Sequence, residues 1–218
     1  MTLSKRLFDL FFACLFAPFV LLALLPLSLW LWFRQGRPIF FGSERMHDST
    51  QGFTLWKLRS MTVVDSDSGV SGGDKAARVT AAGQVLRRTR LDELPQIFNI
   101  LRGDISFVGP RPPLRQYVVR FPKLYAQVLK SRPGLTGLAS LVFAPHEERL
   151  LSRAASAEET DQIYARACVP RKAKIDLIYQ RHQNRKLDLW LMVVTAARML
   201  GFARGGRFPR DMRGLFSR

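Results

Sequence analysis

From Leu10 to Phe33 the chain carries no charged residue. At 1.5 Å per residue, a helix of about 24 residues would cross the roughly 30 Å hydrocarbon layer of a bilayer, which assigns the first forty residues to a membrane. A cleaved secretion signal fits poorly, because the apolar run is too long and Trp30, Trp32 and Phe33 stand where small residues would mark a cleavage site. Lys5 and Arg6 precede the run and Arg34 and Arg37 follow it, drawing both ends toward the cytoplasm. Pro18 removes a backbone donor and crowds the carbonyl of Cys14, and Pro26 repeats the fault two turns later. Two topologies follow: a bent, re-entrant helix that satisfies both flanks, or a kinked single span, since membrane helices tolerate proline. Asp9 stands at helical spacing from Lys5 and Arg6, either as their ion-pair partner or as a solvated first-turn charge.

Beyond the run the period changes. Pro38 to Glu44 and Phe53 to Met61 are apolar-rich stretches joined by the polar turn sequence His47 to Gly52, which predicts a β-hairpin. Asp65 to Lys75 is rich in Asp, Ser and Gly without periodicity and reads as a mobile loop or lid. Helical patterning returns at Ala81 to Arg88 and at Pro95 to Leu101. Leu114 to Lys130 predicts one amphipathic helix with Tyr117, Val118, Phe121, Tyr125 and Val128 on a face, suited to a membrane surface or a core. Ser152 to Ile178 favours helix with a break at Pro170, and Leu187 to Leu200 is an apolar, interfacial helix carrying Trp190. Arg204 to Arg218 is a basic tail with Gly205, Gly206 and Pro209, expected to be flexible and drawn to anionic lipid.

Composition narrows the function. The 218 residues include 34 Lys and Arg against 17 Asp and Glu, a net charge of +17, which calls for an anionic partner: nucleic acid, phospholipid or a phosphorylated small molecule. A hydrophobic share of 47% with 16 Phe excludes a disordered chain, and the length suits one compact domain with an appendage. Cys14 and Cys168 form no motif, and His47, His146 and His182 are too scattered for a zinc site. The basic residues are dispersed and match no reader motif, which argues against a nucleic-acid partner.

Candidate chemistry gathers around Arg87-Arg88-Thr89-Arg90-Leu91-Asp92-Glu93, just before Pro95. Asp92 can cap the following helix with Glu93 beginning it, and on one reading the pair only caps it; a helix start crowded by arginines also makes an anion site. Carboxylates and phosphates in one place call for a divalent cation, Mg²⁺ being the hard, oxygen-seeking choice, and an aspartate there can attack phosphorus. In Gly109-Pro110-Arg111-Pro112-Pro113 the prolines stiffen the backbone that presents the Arg111 guanidinium, and Arg132-Pro133-Gly134-Leu135-Thr136-Gly137 repeats an arginine beside a Pro-Gly turn.

Taken together, these segments resemble the bacterial sugar transferases of the small monotopic phosphoglycosyl transferase type. The resemblance covers most of the chain and rests on Lys5-Arg6 with Asp9, the Pro18-broken helix, Lys57-Leu58-Arg59-Ser60-Met61, Leu91-Asp92-Glu93-Leu94-Pro95-Gln96, Asn99, Gly103-Asp104, Gly109-Pro110-Arg111-Pro112 and Arg132-Pro133-Gly134-Leu135-Thr136-Gly137. It implies transfer of a sugar 1-phosphate from a UDP-sugar to polyprenyl (undecaprenyl) phosphate, the first membrane step of glycoconjugate assembly, at the cytoplasmic face of the bacterial inner membrane. On that resemblance Asp92 is the nucleophile that forms a phosphosugar-aspartyl intermediate and touches Mg²⁺. Glu93 is the adjacent acid/base, Arg87 and Arg111 bind phosphate, and Lys57 and Arg59 are further phosphate or headgroup ligands.

The implied architecture is α+β and predominantly helical: a re-entrant anchor over 1–37, a cytoplasmic catalytic domain with a small hairpin and interfacial helices over 38–203, and the basic tail 204–218. Phospholipid is the expected surface partner, and self-association is left open. Two places depart from the family pattern. Gly137-Leu138-Ala139-Ser140-Leu141-Val142-Phe143 replaces a Gly-Trp-Ala-Gln sequence, and Ala17 replaces the serine often found before the proline. The competing reading is a catalytically inactive polyprenyl-phosphate-binding or scaffold protein; a membrane-anchored nucleic-acid binder and a single-span anchor are more distant alternatives.

Overall fold

A computed structural model describes residues 2–64, 73–199 and 201. The basic tail and most of the Asp65–Lys75 loop lie outside the described residues. The chain is predominantly helical with two small sheets. Helix α1, Leu3–Gln35, is a single helix of 33 residues with Pro18 and Pro26 inside it; Thr2 caps its start, and Gly36, at φ 65°, ends it by donating to the Trp32 carbonyl. It is long and apolar enough to cross a membrane, with a mean hydropathy of 2.6 in its most apolar stretch.

One face of α1 packs inward. Ala13 joins the main core with Ile97, Ile100, Phe107, Leu138 and Leu191, while Leu24 and Leu31 pack with Leu58, Ala82 and Leu86. The opposite face exposes Leu7, Phe11, Leu15, Leu22, Leu25 and Leu29. Both ends are tied to the same body. Near the start, Lys5 pairs with Asp188 at 2.8 Å and Arg6 donates to the carbonyls of Ile100 and Leu101. At the finish, Gln35 donates to the Arg59 carbonyl and accepts from the Thr80 hydroxyl.

Asp9 is neither the ion-pair partner of Arg6 nor a solvated charge. It is fully buried and accepts from the Ser106 hydroxyl and the Phe107 amide, while Lys5 turns to Asp188. Helical spacing found the neighbours on α1, but the packing of α1 on the strand at 106–108 supplied closer donors.

The hairpin forms as expected, β1 (Phe40–Met46) pairing antiparallel with β2 (Gly52–Leu58). Its turn is held by Asp48, whose Oδ1 accepts from the amides of Thr50 and Gln51. After the short 3-10 turn Gly73–Arg78 come α2 (Ala81–Thr89) and α3 (Gln96–Arg102). Strands β3 (Ser106–Val108) and β4 (Gly134–Thr136) form a parallel pair, Ser106 opposite Gly134 and Val108 opposite Thr136.

The amphipathic stretch expected as one helix is two, α4 (Arg115–Arg120) and α5 (Pro122–Val128). Pro122 disfavours helical backbone at the residue before it, and Phe121 sits at φ −128°, ψ 58°. Its apolar face belongs to a core: Tyr117, Val118, Tyr125 and Val128 pack with Met46, Val169 and Ala173. Helix α6 (Leu138–Leu151) follows β4 directly. Helix α7 (Ala157–Ile163) runs through a π-turn at Tyr164–Cys168 into α8 (Val169–His182), so Pro170 sits in the first turn of a helix instead of breaking one. Helix α9 (Arg185–Met199) closes the described chain.

Candidate active site

Two close backbone approaches build this site. A Cβ on Gly83 would lie 1.9 Å from the Ser60 carbonyl oxygen, so only glycine lets α2 settle against the end of the hairpin. That contact brings Arg87 Nε to 3.0 Å from the Ser60 hydroxyl. Helix α2 ends at Arg90, which adopts the left-handed conformation at φ 56°, ψ 21° in a place usually given to glycine. The chain turns there into the 3-10 turn Leu91–Glu93, where Asp92 and Glu93 are both buried. Neither caps α3: Pro95 holds the cap position, with no side-chain bond. The capping reading therefore falls away, and burial of two adjacent carboxylates needs another reason.

The second approach presents Arg111. Cβ atoms on Gly109, Gly134 and Gly137 would each lie 2.1 Å from a backbone atom of the facing segment, the Arg132 carbonyl, the Gly109 amide and the Gly109 carbonyl respectively. The Gly-Pro-Arg-Pro and Arg-Pro-Gly-Leu-Thr-Gly sequences thus lock backbone to backbone beside the β3–β4 pair. Arg132 donates to the Gly103 carbonyl at 2.6 Å, which makes it part of the frame. Asn99, fully buried, ties the frame to the hairpin: it accepts from the Trp56 amide and donates to the Thr54 carbonyl and the Asp104 carboxylate.

Three cations converge on Glu93. Arg111 meets Oε1 at 2.9 Å, Lys57 of β2 meets the same oxygen at 3.1 Å, and Arg90 meets Oε2 at 3.0 Å. Asp92 is treated differently, with Lys57 at 3.8 Å and no closer polar partner among the described residues. Burial raises the Asp92 carboxyl above its usual range, against the opposing pull of Lys57. Burial alone would raise Glu93 too, but the charges of Arg111, Lys57 and Arg90 outweigh it and hold that carboxyl well below the usual range. Burial lowers the Lys57 ammonium, and Glu93 raises the Arg111 guanidinium. Adjacent carboxyls pushed in opposite directions mark a division of labour.

Asp92 opens into a cleft of about 580 Å³ between the hairpin, α2 and the start of α4. Its walls carry Arg45, Lys57, Arg59, Lys75, Arg87 and Arg115. A cleft this basic, with one weakly held carboxylate at its base, suits a polyphosphate ester.

Of the residues expected at the site, Asp92, Glu93, Lys57, Arg87 and Arg111 come together. Arg59 lines the same cleft, yet its guanidinium donates to the carbonyls of Gln35 and Gly36 and so clamps the end of α1. The sequence reading left Arg90 outside its set of phosphate ligands, although it stands in the same arginine run, and missed Arg45. Strand alternation is the only sequence signal for Arg45.

One carboxylate can serve Mg²⁺ here. Glu93 is engaged by three cations, and no cluster of three or more His, Cys, Asp or Glu side chains suited to a metal occurs among the described residues. Asp92, with no hydrogen-bond donor among the described residues, fits the sparse protein ligation Mg²⁺ accepts when substrate phosphates complete its shell.

A sequence profile of the family described as bacterial sugar transferase matches residues 1–201. Over 148 residues the chain is 39% identical to a UDP-glucose:undecaprenyl-phosphate glucose-1-phosphate transferase of Caulobacter vibrioides, covering 64% of this chain and 54% of that one. It is 35% identical over 170 residues to a protein of the same name from Xanthomonas campestris, covering 75% and 32%. It is 33% identical over 153 residues to an undecaprenyl-phosphate galactose phosphotransferase of Salmonella typhimurium, covering 62% and 31%. These matches span about a third to a half of those relatives' lengths.

Proposed function

The chain belongs to the bacterial sugar transferase family, and from that premise we propose that it transfers a sugar 1-phosphate from a UDP-sugar to undecaprenyl phosphate, releasing UMP. The observation that carries this is the contrast between Asp92, buried yet weakly held at the base of a basic cleft, and Glu93, fixed by three cations. In the first step an Asp92 carboxylate oxygen attacks the phosphorus bearing the sugar. A P–O bond to Asp92 forms as the bond to the bridging oxygen breaks, and UMP leaves with that electron pair. In the second step a phosphate oxygen of the acceptor attacks the same phosphorus and returns Asp92 as a free carboxylate.

Desolvation makes Asp92 more basic and therefore a better nucleophile. Glu93 acts through its neighbours, aiming Arg111, Lys57 and Arg90 at the phosphates. A carboxyl held far below its usual range has no proton to give near neutral pH, so orientation suits it better than proton transfer. Asp92, together with the donor phosphates, would hold Mg²⁺, which would supply charge neutralisation there.

Both ends of α1 fasten to one body, which supports an anchor that enters and leaves on the same, cytoplasmic side of the inner membrane. The exposed apolar stripe of α1 then lies in lipid. The decisive experiment is UMP release from a panel of UDP-sugars with purified protein, omitting Mg²⁺ or undecaprenyl phosphate in turn. Release that requires both is expected; none from any donor, with folded protein, would overturn the proposal.

A further inference from the structure

A second cavity of about 410 Å³ reaches the same turn at Glu93, where the basic cleft reaches it at Asp92, and is lined almost wholly by apolar side chains. Phe16 and Val20 of α1 form one wall, Val193 and Met199 of α9 another, and Ile97 and Phe107 the floor. Among the described residues its only charged lining side chains are Arg90 and Glu93, which meet at 3.0 Å. Its two hydroxyls, Thr136 and Thr195, bond to each other at 2.7 Å, and Thr195 also donates to the Leu191 carbonyl, so neither asks for a polar ligand.

A groove this apolar is not a nucleotide site. Arg90 and Glu93 face both this groove and the catalytic turn, so a molecule lying in the groove reaches the reacting centre with one end. Both walls also continue outward as exposed apolar surface: Phe16 and Phe19 on α1, Leu189 and Val193 on α9. The groove thus joins exposed apolar surface to the charged pair in its lining. That shape matches a long hydrocarbon ending in one anionic head.

Resting on the function proposed above, we propose that the groove between α1 and α9 seats the isoprenoid chain of the acceptor, phosphate end inward at Arg90. Donor and acceptor would then approach the Asp92-Glu93 turn through separate cavities, the nucleotide through the basic cleft and the lipid through the apolar groove. At about 410 Å³ the groove holds only the part of the chain nearest the phosphate. The remainder stays in the bilayer.

The test fills the groove from α9, away from the charged end. Ala196→Trp and, independently, Val193→Trp place bulk where the chain would run, on exposed helix positions that take no part in donor binding. Steady-state kinetics compare undecaprenyl phosphate with a two-isoprene phosphate. Expected is a rise of about tenfold or more in KM for the long acceptor, since losing burial of one isoprene unit is worth at least that much. The KM for the UDP-sugar stays unchanged, and the short acceptor is affected less than the long one. Equal KM shifts for both acceptors, or no shift in either variant, would overturn the groove while leaving the transferase reading intact. A diazirine-bearing polyprenyl phosphate gives a readout independent of turnover: labelling within α9 supports the groove, and labelling confined to other segments, or equal competition by bilayer phospholipid, overturns it. Absence of any transfer by the unmodified protein, by contrast, strikes the functional reading, and the labelling experiment still decides the groove.

Discussion

Lys5 and Asp188 meet at 2.8 Å although 183 positions separate them, and both are buried. The pair joins the first turn of α1 to the first turn of α9. Tyr179 completes it by donating to the other Asp188 oxygen at 2.6 Å. Removing one partner strands a buried charge. Lys5→Met should lower stability by about 3–5 kcal/mol, and adding Asp188→Asn should recover most of that loss. Thermal unfolding of the two variants in one detergent checks both.

Asp92→Asn should abolish turnover while leaving the fold intact. Among the described residues Asp92 makes one ion pair, at 3.8 Å, and no side-chain hydrogen bond for the amide to disrupt. Loss of a covalent nucleophile is expected to slow UMP release on the order of a thousandfold or more. A circular dichroism spectrum matching the unmodified protein separates this from unfolding.

The two carboxyls predict opposite pH behaviour. Asp92 is raised, so its nucleophilic, ionised form is lost as pH falls through a value above the ordinary aspartate 3.8. The acid limb of kcat/KM should lie above that value and move higher still in Lys57→Met, because Lys57 favours the ionised form. Glu93 is depressed, so its stabilising contribution is fully present above about pH 4.5 and is lost only as pH falls through its lower folded value. Unfolding midpoints of the unmodified protein and Glu93→Gln should stay separated from pH 7 down to about pH 4.5 and converge only as the scan continues well below it.

Gly109→Ala tests the interlocked backbones. Its Cβ would meet the Arg132 carbonyl at 2.1 Å, where no flexible side chain can yield. A loss of about 1–3 kcal/mol is expected, with a raised KM for the UDP-sugar as Arg111 shifts. Gly36→Ala is the contrast: no atom lies within 4 Å of the added Cβ, and the cost, about 1–3 kcal/mol, comes from a backbone at φ 65° and ψ −165° that is essentially reserved for glycine, with a smaller change in donor KM than Gly109→Ala gives. Denaturant titration measures the cost of each, and donor kinetics distinguish the two.

The hairpin, α1, α2 and α3 were legible because each is a local pattern: an uncharged run, a polar turn between apolar strands, a helical period. Phe121 shows where such reading stops, since an unbroken apolar face ran through a proline that the backbone could not ignore. Asp9 shows a second limit, its partners lying 97 and 98 positions away on β3. At the site, Asp92, Lys57 and Arg111 could be named from their segments. That three cations hold Glu93 and none comes closer than 3.8 Å to Asp92 could not, because that difference arises where β2, the turn at 91–93 and the loop after β3 meet.

The inner face of α1 has a consequence for handling the protein. Ala13, Leu24 and Leu31 fill two separate parts of the interior, and Arg6 covers the carbonyls that end α3. A fragment beginning after Gly36, made to escape detergent, would lose those contacts and leave Leu58, Leu86 and Ile100 facing water. The segment with the most exposed apolar surface is thus also a structural part of the interior.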